Sequence, residues 1–533
     1  MGRLLIVKRT ILICTAIVLI VVGLLPLLVM IMRSVTIDGH LSFAIYKDLL
    51  ASRGERILLG HSFVLSILTA LLTTAIGMPL GILLAKTDLP FRRIFAVLFT
   101  IPLLLPPYII AVSWSILLGR DGFLARFLSR SAAEVTSDWL FGLPGCVLVL
   151  FSTFLPVVIL LTMTFLKTIN PRLEEAGKTV SGWIGVLRTI TIPMILPGVL
   201  LASILVFLLT LGEFGVPIFL RYNVFPVETF TQFSAFYDFG AATAFALPLA
   251  VITFFILLIE RIFLRKKTYE VKLASDAEGI TVIHLGRGRK WFVLSVAVLC
   301  FFIVVAPILV LVFQSMSFDA YCQAISWSAD SLLRSLSYAA IGASVLSVLG
   351  FFCGYLIHNK AMPFWLSLDS LTIFLFALPS TVIGIGLILL WNRASTNFIY
   401  ATPIIIIFGY IAQYTALTSR ITVSTLAQIP YSMEEAAQVV GAGWLRRTAL
   451  ITAPLAKRGL LAGWLVGYIF CLRDTGISMM VYPPGHDTFP VRIFTLMANG
   501  PPDLIAALCV IMIIAALLPL GILAAVFKSK GFA

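Results

Sequence analysis

Charge is scarce in this 533-residue sequence, in which Lys, Arg, Asp and Glu make up 12% of the residues and hydrophobic residues 60%. Soluble globular domains carry roughly 25% charged residues, so this composition excludes a soluble class. The mean hydropathy of +1.08 leads to the same conclusion. The chain has the composition of a protein that spans a lipid bilayer.

Motifs for nucleotide, zinc and thiol chemistry are also missing. The sequence has no GxxxxGKS/T phosphate-binding loop, no HExxH motif and no CxxC pair. Its 5 histidines and 7 cysteines are dispersed along the chain. The cysteines, most of them in apolar stretches, are expected to be small core residues. We therefore predict that the chain is not an enzyme, holds no metal and has no cofactor of its own.

Long apolar stretches are what the chain has in abundance. In lipid every backbone N–H and C=O must be satisfied within the spanning segment, so a crossing takes a helix of about 20 apolar residues. We place spans at 11–32, 62–85, 94–118, 145–167, 195–220, 243–264, 292–314, 335–358, 364–391, 402–425, 458–482 and 504–527. The predicted fold class is an all-α polytopic membrane protein with about twelve transmembrane helices.

A polar segment divides these spans six and six. Residues 265–290 form a long charged stretch, which we predict to be a cytoplasmic linker between a first half, 1–264, and a second half, 291–533. The halves repeat each other, since "LGEFGVP" at 211–217 is echoed by "LRDTGIS" at 472–478. Because each half has an even number of spans, both insert in the same orientation, as parallel six-helix repeats.

Lysine and arginine are concentrated in alternate loops. Positively charged short loops stay in the cytoplasm, so this asymmetry places both termini on the cytoplasmic side. The net charge of +14 is then explained by topology and by contact with anionic lipids, without nucleic acid.

One polar stretch occurs twice, each time after the fourth span of its half and therefore on the cytoplasmic side. It reads "EEAGKTVSGWIGVLRTITIP" at 174–193 and "EEAAQVVGAGWLRRTALITAP" at 434–454. Small and apolar residues recur at helical spacing in both copies, which predicts one amphipathic helix at about 171–182 and another at about 432–441. The residues that we predict to dock a partner are Glu174, Glu175, Ala176, Gly182, Glu434, Glu435, Ala436, Ala437 and Gly441.

Helix-boundary signals frame both copies. Asn170 and Ser432 are predicted N-caps, and Gly182 and Gly441 are predicted to end the helices in a left-handed turn. An alternative is that both are interfacial helices resting on lipid headgroups. That alternative explains one copy but not the recurrence of the same spacing, so docking of a partner is the favoured interpretation.

The pattern EAA, three residues, G and a distal proline resembles the cytoplasmic loop of ATP-binding cassette importer permeases. The second copy fits it closely, whereas the first has Gly177 for the second alanine and Ser181 where the glycine is expected. "IPLLLPPYIIAVSW" at 101–114 and "FALPSTVIGIGLILL" at 376–390 are similar to the fused two-half permeases of the ferric-iron class. That class also includes thiamine, polyamine and aminoethylphosphonate importers.

This resemblance implies a permease of the bacterial inner membrane. Each repeated helix would be a coupling helix, so that two copies of a cytoplasmic ATPase, which bind ATP and Mg, dock beneath the chain. A periplasmic binding protein would deliver the solute. Ferric iron is the expected solute, with thiamine, a phosphonate or a polyamine as alternatives.

Three ionisable residues lie inside predicted spans, where charge is costly and usually functional. Glu213, Arg473 and Asp474 are therefore candidates for the translocation path or a gate. The alternative is structural, namely capping of a broken helix or an ion pair between Arg473 and Glu213. Tyr482 and His486 are predicted at the periplasmic mouth, with an ordinary solvated loop as the alternative.

Other classes of function fit less well. A secondary transporter also suits parallel six-span halves, but it predicts coupling carboxylates at the midplane and no soluble docking helix before the fifth span. A channel leaves the repeated helix unexplained, and a membrane-embedded enzyme would need paired metal-ligand spacing that the histidines do not show.

Overall fold

The structure is a computed structural model that describes residues 2–37, 40–42, 44–127, 129–236, 239–263 and 281–529. The predicted linker, 265–290, therefore lies in part outside the described residues. Most of the described chain is helical. Two short strands, β1 (Thr36–Ile37) and β2 (His40–Leu41), form an antiparallel pair.

The helices follow one another along the chain as the hydropathy pattern predicts. The first half contains α1 (Gly2–Leu19), α2 (Leu25–Ser34), α3 (Ala44–Ala51), α4 (Arg53–Lys86), α5 (Arg92–Thr100), α6 (Pro107–Leu118), α7 (Arg130–Leu140), α8 (Leu143–Leu166), α9 (Pro171–Val186), α10 (Ile192–Leu211), α11 (Gly215–Phe219), α12 (Phe225–Ser234) and α13 (Phe239–Phe263). The second half contains α14 (Arg289–Cys300), α15 (Ala306–Gln314), α16 (Phe318–His358), α17 (Trp365–Ala377), α18 (Ser380–Trp391), α19 (Asn397–Tyr400), α20 (Ile404–Leu426), α21 (Tyr431–Val439), α22 (Trp444–Arg447), α23 (Ala453–Leu455), α24 (Lys457–Leu472), α25 (Gly476–Val481), α26 (Phe489–Leu496) and α27 (Pro502–Ser529). Short 3-10 or π-helical segments join several of them: Ile20–Leu24, Ile101–Leu104, Leu124–Arg126, Leu187–Thr191, Gly286–Gly288, Phe301–Val305 and Thr448–Thr452.

The number of membrane spans agrees with the prediction. Within the described residues 9 helical segments are long and apolar enough to cross a bilayer, and 3 bent pairs raise the number to as many as 12. These segments fall six before and six after the linker, in the order expected from hydropathy. The all-α polytopic fold class is confirmed.

Two of the predicted spans, 94–118 and 364–391, are sharply bent. The chain turns by 101° between Leu104 and Pro107 and by 108° between Ala377 and Ser380. A proline lies within each break, Pro106 in the first and Pro379 in the second. Because proline forces an extended conformation on the residue before it, Leu105 has ψ 151° and Leu378 has ψ 143°. The two breaks occupy matched places in the repeat.

Two helices are longer than the spans predicted within them. Helix α4 has 34 residues and α16 has 41, which at 1.5 Å per residue gives lengths of about 51 and 61 Å. The hydrocarbon core of a bilayer is about 30 Å thick, so both helices extend beyond it. Hydropathy detects only the apolar part of such a helix, so the predicted spans, which start at residues 62 and 335, cover only part of each helix.

The same helices pack together in each half. Helices α4, α8 and α10 form a three-helix core in the first half, and α16, α20 and α24 form its counterpart. Glycines let the backbones approach: a Cβ added at Gly77 would lie 2.8 Å from Cβ of Val158, and one at Gly350 would lie 2.1 Å from Oγ1 of Thr418. Close packing at small residues drives helix association in lipid. This matched packing supports the parallel repeat.

The first span of each half packs against the other half. Helix α1 contacts α16, and the π-helical turn after it contacts α20, whereas α15 contacts α6 of the first half. The two halves are therefore interlocked.

Candidate functional site

Glu213 and Asp474 lie at equivalent interruptions of the fifth span of each half. Glu213 stands between α10 and α11, and its Oε1 accepts hydrogen bonds from the backbone N–H groups of Gly215 (3.0 Å) and Val216 (3.4 Å). Asp474 stands between α24 and α25, and its Oδ2 accepts from the backbone N–H (2.9 Å) and hydroxyl (2.7 Å) of Ser478. Each carboxylate caps the short helix that follows it, as the structural alternative predicts.

Asp474 is further satisfied by a tyrosine. The hydroxyl of Tyr414 donates to its Oδ1 at 2.9 Å, and the carboxylate is almost fully buried, with 5% of the residue exposed. A buried carboxylate is stable when several donors bond to it. Asp474 is therefore buried with its carboxylate hydrogen-bonded, whereas the side chain of Glu213 is only half-buried.

Arg473 connects the two halves. Its guanidinium donates to the carbonyl oxygen of Leu103, in the bent third span, and lies 4.7 Å from the ring centroid of Phe470. The ion pair with Glu213 considered from sequence is not among those formed in the described part of the chain. The arginine pairs with a carbonyl because the proline break leaves that carbonyl without a helical partner.

These three side chains surround one cavity of about 100 Å³ between the halves. The breaks themselves line it: Pro107 and Tyr108 from the third span, and Leu378 and Pro379 from the ninth. Interrupted helices place backbone polar groups inside the membrane, where only a protein-lined or water-filled cavity can hold them. The structure thus brings the candidate residues Glu213, Arg473 and Asp474 together around one cavity.

Aromatic residues cover one side of the cavity. The Tyr108 hydroxyl donates to the carbonyl of Pro490 at 2.9 Å, and the Tyr108 and Phe214 rings lie edge-on to Phe494, with centroids 5.5 and 6.3 Å apart. Sequence reasoning missed Tyr108 and Tyr414. A tyrosine within an apolar span is the available signal, because its hydroxyl needs a polar partner there.

The described residues contain no group of three or more His, Cys, Asp and Glu side chains placed to hold a metal ion. The carboxylates of Glu213 and Asp474 line the cavity, but each is engaged with the helix that it caps.

The boundaries of the two repeated helices agree with the prediction at three of four points. The Asn170 side chain accepts a hydrogen bond from the N–H of Arg172 at 3.0 Å and caps α9. Gly441 (φ 82°) lies just after α21, and Gly182 (φ 66°) breaks α9 at a kink, so that the predicted helix ends there and a second one continues to Val186. The prediction for Ser432 was wrong, because α21 already begins at Tyr431, after Pro430, and has no side-chain cap.

The first acidic residue of each copy faces the protein body. Glu174, only 1% exposed, forms an ion pair with Lys86 and accepts hydrogen bonds from the hydroxyls of Thr191 (2.8 Å) and Thr281 (2.7 Å). It was predicted to contact a partner, and this is corrected: it anchors α9 to the end of α4. Glu434 is half-buried and accepts a hydrogen bond from the Tyr355 hydroxyl at 3.2 Å.

The opposite faces of both helices are exposed. Glu175, Ala176, Glu435 and Ala436 are all exposed, and Ala437 is half-buried. The tips carry large apolar side chains: Val180, Val439 and Val440 are each 87% exposed. Exposed apolar clusters rimmed by polar residues mark interaction surfaces. We call these two faces, with their valine tips, the docking faces.

Tyr482 and His486 lie in the loop after α25 and are both half-buried. The His486 ring nitrogen Nδ1 is hydrogen-bonded to the hydroxyl of Tyr338 at 2.9 Å, and Arg334 pairs with Asp487 at 2.7 Å. The loop is thus held against α16 rather than freely solvated.

Comparison with known proteins identifies the family. Residues 77–269 match the family described as binding-protein-dependent transport system inner membrane component. The putative ferric transport system permease protein FbpB 1 of Haemophilus influenzae is 24% identical over 81% of this chain and 71% of its own length. The ferric transport system permease protein FbpB of Actinobacillus pleuropneumoniae is 23% identical over 81% of this chain and 65% of its own length.

Another relative matches a smaller part of the chain. The molybdenum transport system permease protein ModB of Escherichia coli is 30% identical over 33% of this chain and 78% of its own length. The structure adds two matched three-helix cores with broken fifth spans. The chain therefore belongs to the family of inner-membrane permease components of binding-protein-dependent transport systems.

Proposed function

We propose that the chain forms the complete translocation path of an ATP-driven importer that carries ferric iron into the cell. In this proposal two copies of a cytoplasmic ATPase, which bind ATP and Mg, grip α9 and α21. A periplasmic binding protein delivers the solute at the side of Tyr482 and His486. Both termini lie in the cytoplasm.

One observation carries the proposal: two matched helices expose apolar tips on the same side of the chain. Val180 and the pair Val439 and Val440 would be costly in water and have no hydrocarbon to enter if the helices stand in the cytoplasm. A cleft on a soluble partner would cover them. Because Glu174 and Glu434 fix each helix to its half, a partner that moves a helix moves the half with it.

The central cavity supports a cationic solute. Two carboxylates, Glu213 and Asp474, and one guanidinium, Arg473, line it, and the guanidinium is engaged with a carbonyl. Carboxylate oxygens attract a hard cation, whereas they repel an oxyanion. The relatives that match along 81% of the chain are named for ferric transport, which favours iron over thiamine, a polyamine or a phosphonate.

The test is reconstitution in liposomes with the ATPase subunits and the binding protein. Ferric iron on the binding protein is expected to raise ATP turnover, whereas thiamine, a polyamine and aminoethylphosphonate leave it at the basal rate. Stimulation by one of the others would overturn the assignment of iron. Failure of every solute to stimulate a complex that does contain the ATPase would count against an ATP-driven importer.

The docking faces are tested separately. Val439→Asp with Val440→Asp is expected to abolish copurification of the ATPase, because it places charge where a partner buries apolar surface. Val135→Asp, at an exposed apolar position on α7, is the matched control, and the ATPase should copurify with it normally.

Joint replacement of Glu435 and Gly441 is expected to uncouple ATP hydrolysis from transport while the spans remain folded.

A further inference from the structure

A large apolar cleft opens away from the central cavity and shares none of the residues that line it. Its volume is about 870 Å³, and both halves contribute walls, chiefly α1 and α13 from the first and α17 from the second. Wall side chains such as Ile17, which is 50% exposed, point out of the protein. In a spanning helix an exposed apolar side chain faces lipid, so the cleft opens sideways into the bilayer.

Polar side chains gather at one end of this cleft. They are Glu260, Arg261, Ser367, Asp369, Ser370 and Arg420. Arg261 lies in the last turn of α13, Asp369 and Ser370 in the first turns of α17, and Arg420 near the end of α20, which leads into α21. The polar end is therefore on the side of the docking faces, the cytoplasmic side.

Two arginines converge on neighbouring residues of α17. The guanidinium of Arg261 donates to the hydroxyl of Ser370, and that of Arg420 donates to Oδ1 of Asp369 at 2.5 Å. A guanidinium carries five N–H donors, so these bonds do not exhaust either group. Paired guanidiniums at a membrane surface fit the oxygens of a phosphate.

The apolar part of the cleft has the depth of one lipid leaflet. Its wall on the first span runs from Ile13 to Leu24, a rise of roughly 16 Å at 1.5 Å per residue. The hydrocarbon core is about 30 Å thick, so one leaflet contributes about half of that. The edge-on rings of Phe254 and Phe374, with centroids 6.0 Å apart, complete the wall.

We propose that this cleft binds one aminophospholipid of the cytoplasmic leaflet. Arg261 and Arg420 hold its phosphate, an acyl chain lies along α1 and α13, and the carboxylates of Asp369 and Glu260 face its ammonium group. Hydrocarbon chains fill the cleft because the bilayer core supplies neither water nor soluble protein. Since the walls come from both halves, the lipid is a packed component of the interface between them.

The test uses the full-length protein, delipidated in detergent and titrated with phosphatidylethanolamine while bound lipid is counted by native mass spectrometry. Ile17→Trp fills the cleft, and Arg261→Gln with Arg420→Gln removes the phosphate donors. Each is expected to bind the lipid roughly tenfold more weakly, the change expected for a lost charged hydrogen bond or an excluded chain. Leu71→Trp on α4 and Arg93→Gln on α5 are the matched controls and should bind as the unmodified protein does.

A photoactivatable acyl chain gives a second measurement that needs no variant. Cross-links from phosphatidylethanolamine are expected on α1 and α13. Cross-links spread over all lipid-facing helices, or equal losses in the control variants, would show ordinary annular lipid and overturn the proposal. Displacement by inorganic phosphate alone would reassign the site to a free anion, and stronger binding of phosphatidylglycerol would overturn the aminophospholipid assignment.

Discussion

At the scale of single residues, the two neighbouring acidic side chains of each repeated helix have different environments. Glu174 is buried against Lys86 while Glu175 is exposed, and Glu434 contacts Tyr355 while Glu435 is exposed. Consecutive helical residues point about 100° apart, so one of each pair faces the body and the other faces outward. The sequence predicts the acidic pair but not which member anchors the helix.

Replacing Glu174 by Gln is expected to destabilise the protein strongly. The ammonium group of Lys86 would remain buried without a counter-charge, and breaking a buried ion pair in this way costs about 3–5 kcal/mol. Thermal unfolding in detergent should show a clearly lower midpoint. Glu175→Gln is the control and should leave the midpoint unchanged; a normal midpoint for Glu174→Gln would contradict the anchoring role.

At Asp474 two substitutions separate capping from charge. Asp474→Asn keeps an oxygen that accepts from Ser478 and a group that reaches the Tyr414 hydroxyl, so we expect transport to survive with modest loss. Asp474→Ala removes the cap and leaves the hydroxyl unpaired, at a cost of about 1–3 kcal/mol, and transport should fall by at least about tenfold. The assay is solute uptake into liposomes. If Asn is as inactive as Ala, the negative charge itself is required.

At the scale of elements, a strap connects the two halves. Residues 281–285 lie against the loop after α4: the N–H of Ile283 donates to the carbonyl of Lys86 at 2.7 Å, and the N–H of Leu285 donates to Oδ1 of Asp88 at 3.0 Å. Thr281 also bonds to Glu174. This strap ties the start of the second half to the docking helix of the first.

The strap is expected to weaken at acid pH. The backbone N–H of Leu285, with smaller contributions from His284 and Arg289, holds the pKa of Asp88 below its usual value of 3.8. A lowered folded-state pKa means that the stabilisation is complete above pH 3.8 and is lost as the pH falls through the lower folded value. Asp88→Ala should weaken the strap at pH 7 in the same way that protonation of Asp88 does at low pH.

Hydrogen exchange of the peptide that contains 281–290 provides the measurement. In Asp88→Ala the amide of Leu285 loses its acceptor and should exchange faster, while peptides of α14 remain as protected as before. Asp88→Asn, which retains an acceptor oxygen, is the matched control. Unchanged exchange in Asp88→Ala would show that the strap is held by its other contacts.

At the scale of the whole molecule, the halves meet where their helices are broken. A Cβ added at Gly212 would lie 2.9 Å from Cα of Pro379 in the other half, closer than such atoms approach. Tyr108 bonds to Pro490 and Arg473 to Leu103 across the same interface. Movement of one half against the other must therefore rearrange these contacts around the cavity.

Gly212→Ala is expected to push the two halves apart at this interface, because the added methyl group would clash with Pro379. Overpacking of a well-packed site costs about 1–3 kcal/mol, and here the strain acts between the halves. Uptake should fall severalfold, while the ATPase still copurifies because the docking faces are unchanged. Gly60→Ala is the control, since a Cβ there would meet nothing within 4 Å. Normal uptake by Gly212→Ala would show that the halves do not need this close approach.

The sequence by itself determined the all-α class, the number and order of spans and the two repeated amphipathic helices. Run length and repeat spacing are local properties, and lipid allows few alternatives to a helix. The left-handed ends at Gly182 and Gly441 followed from the same local chemistry. The path candidates Glu213, Arg473 and Asp474 were found because charge within an apolar run is conspicuous.

Tertiary structure alone decided how these parts are used. Three contacts depend on which helices face one another. Glu174 pairs with Lys86, Arg473 bonds to the carbonyl of Leu103 instead of Glu213, and Tyr414 donates a hydrogen bond to Asp474. The bends beside Pro106 and Pro379 converge on one cavity for the same reason. Contacts between residues distant in the chain come from packing, and no local pattern in the sequence specifies them.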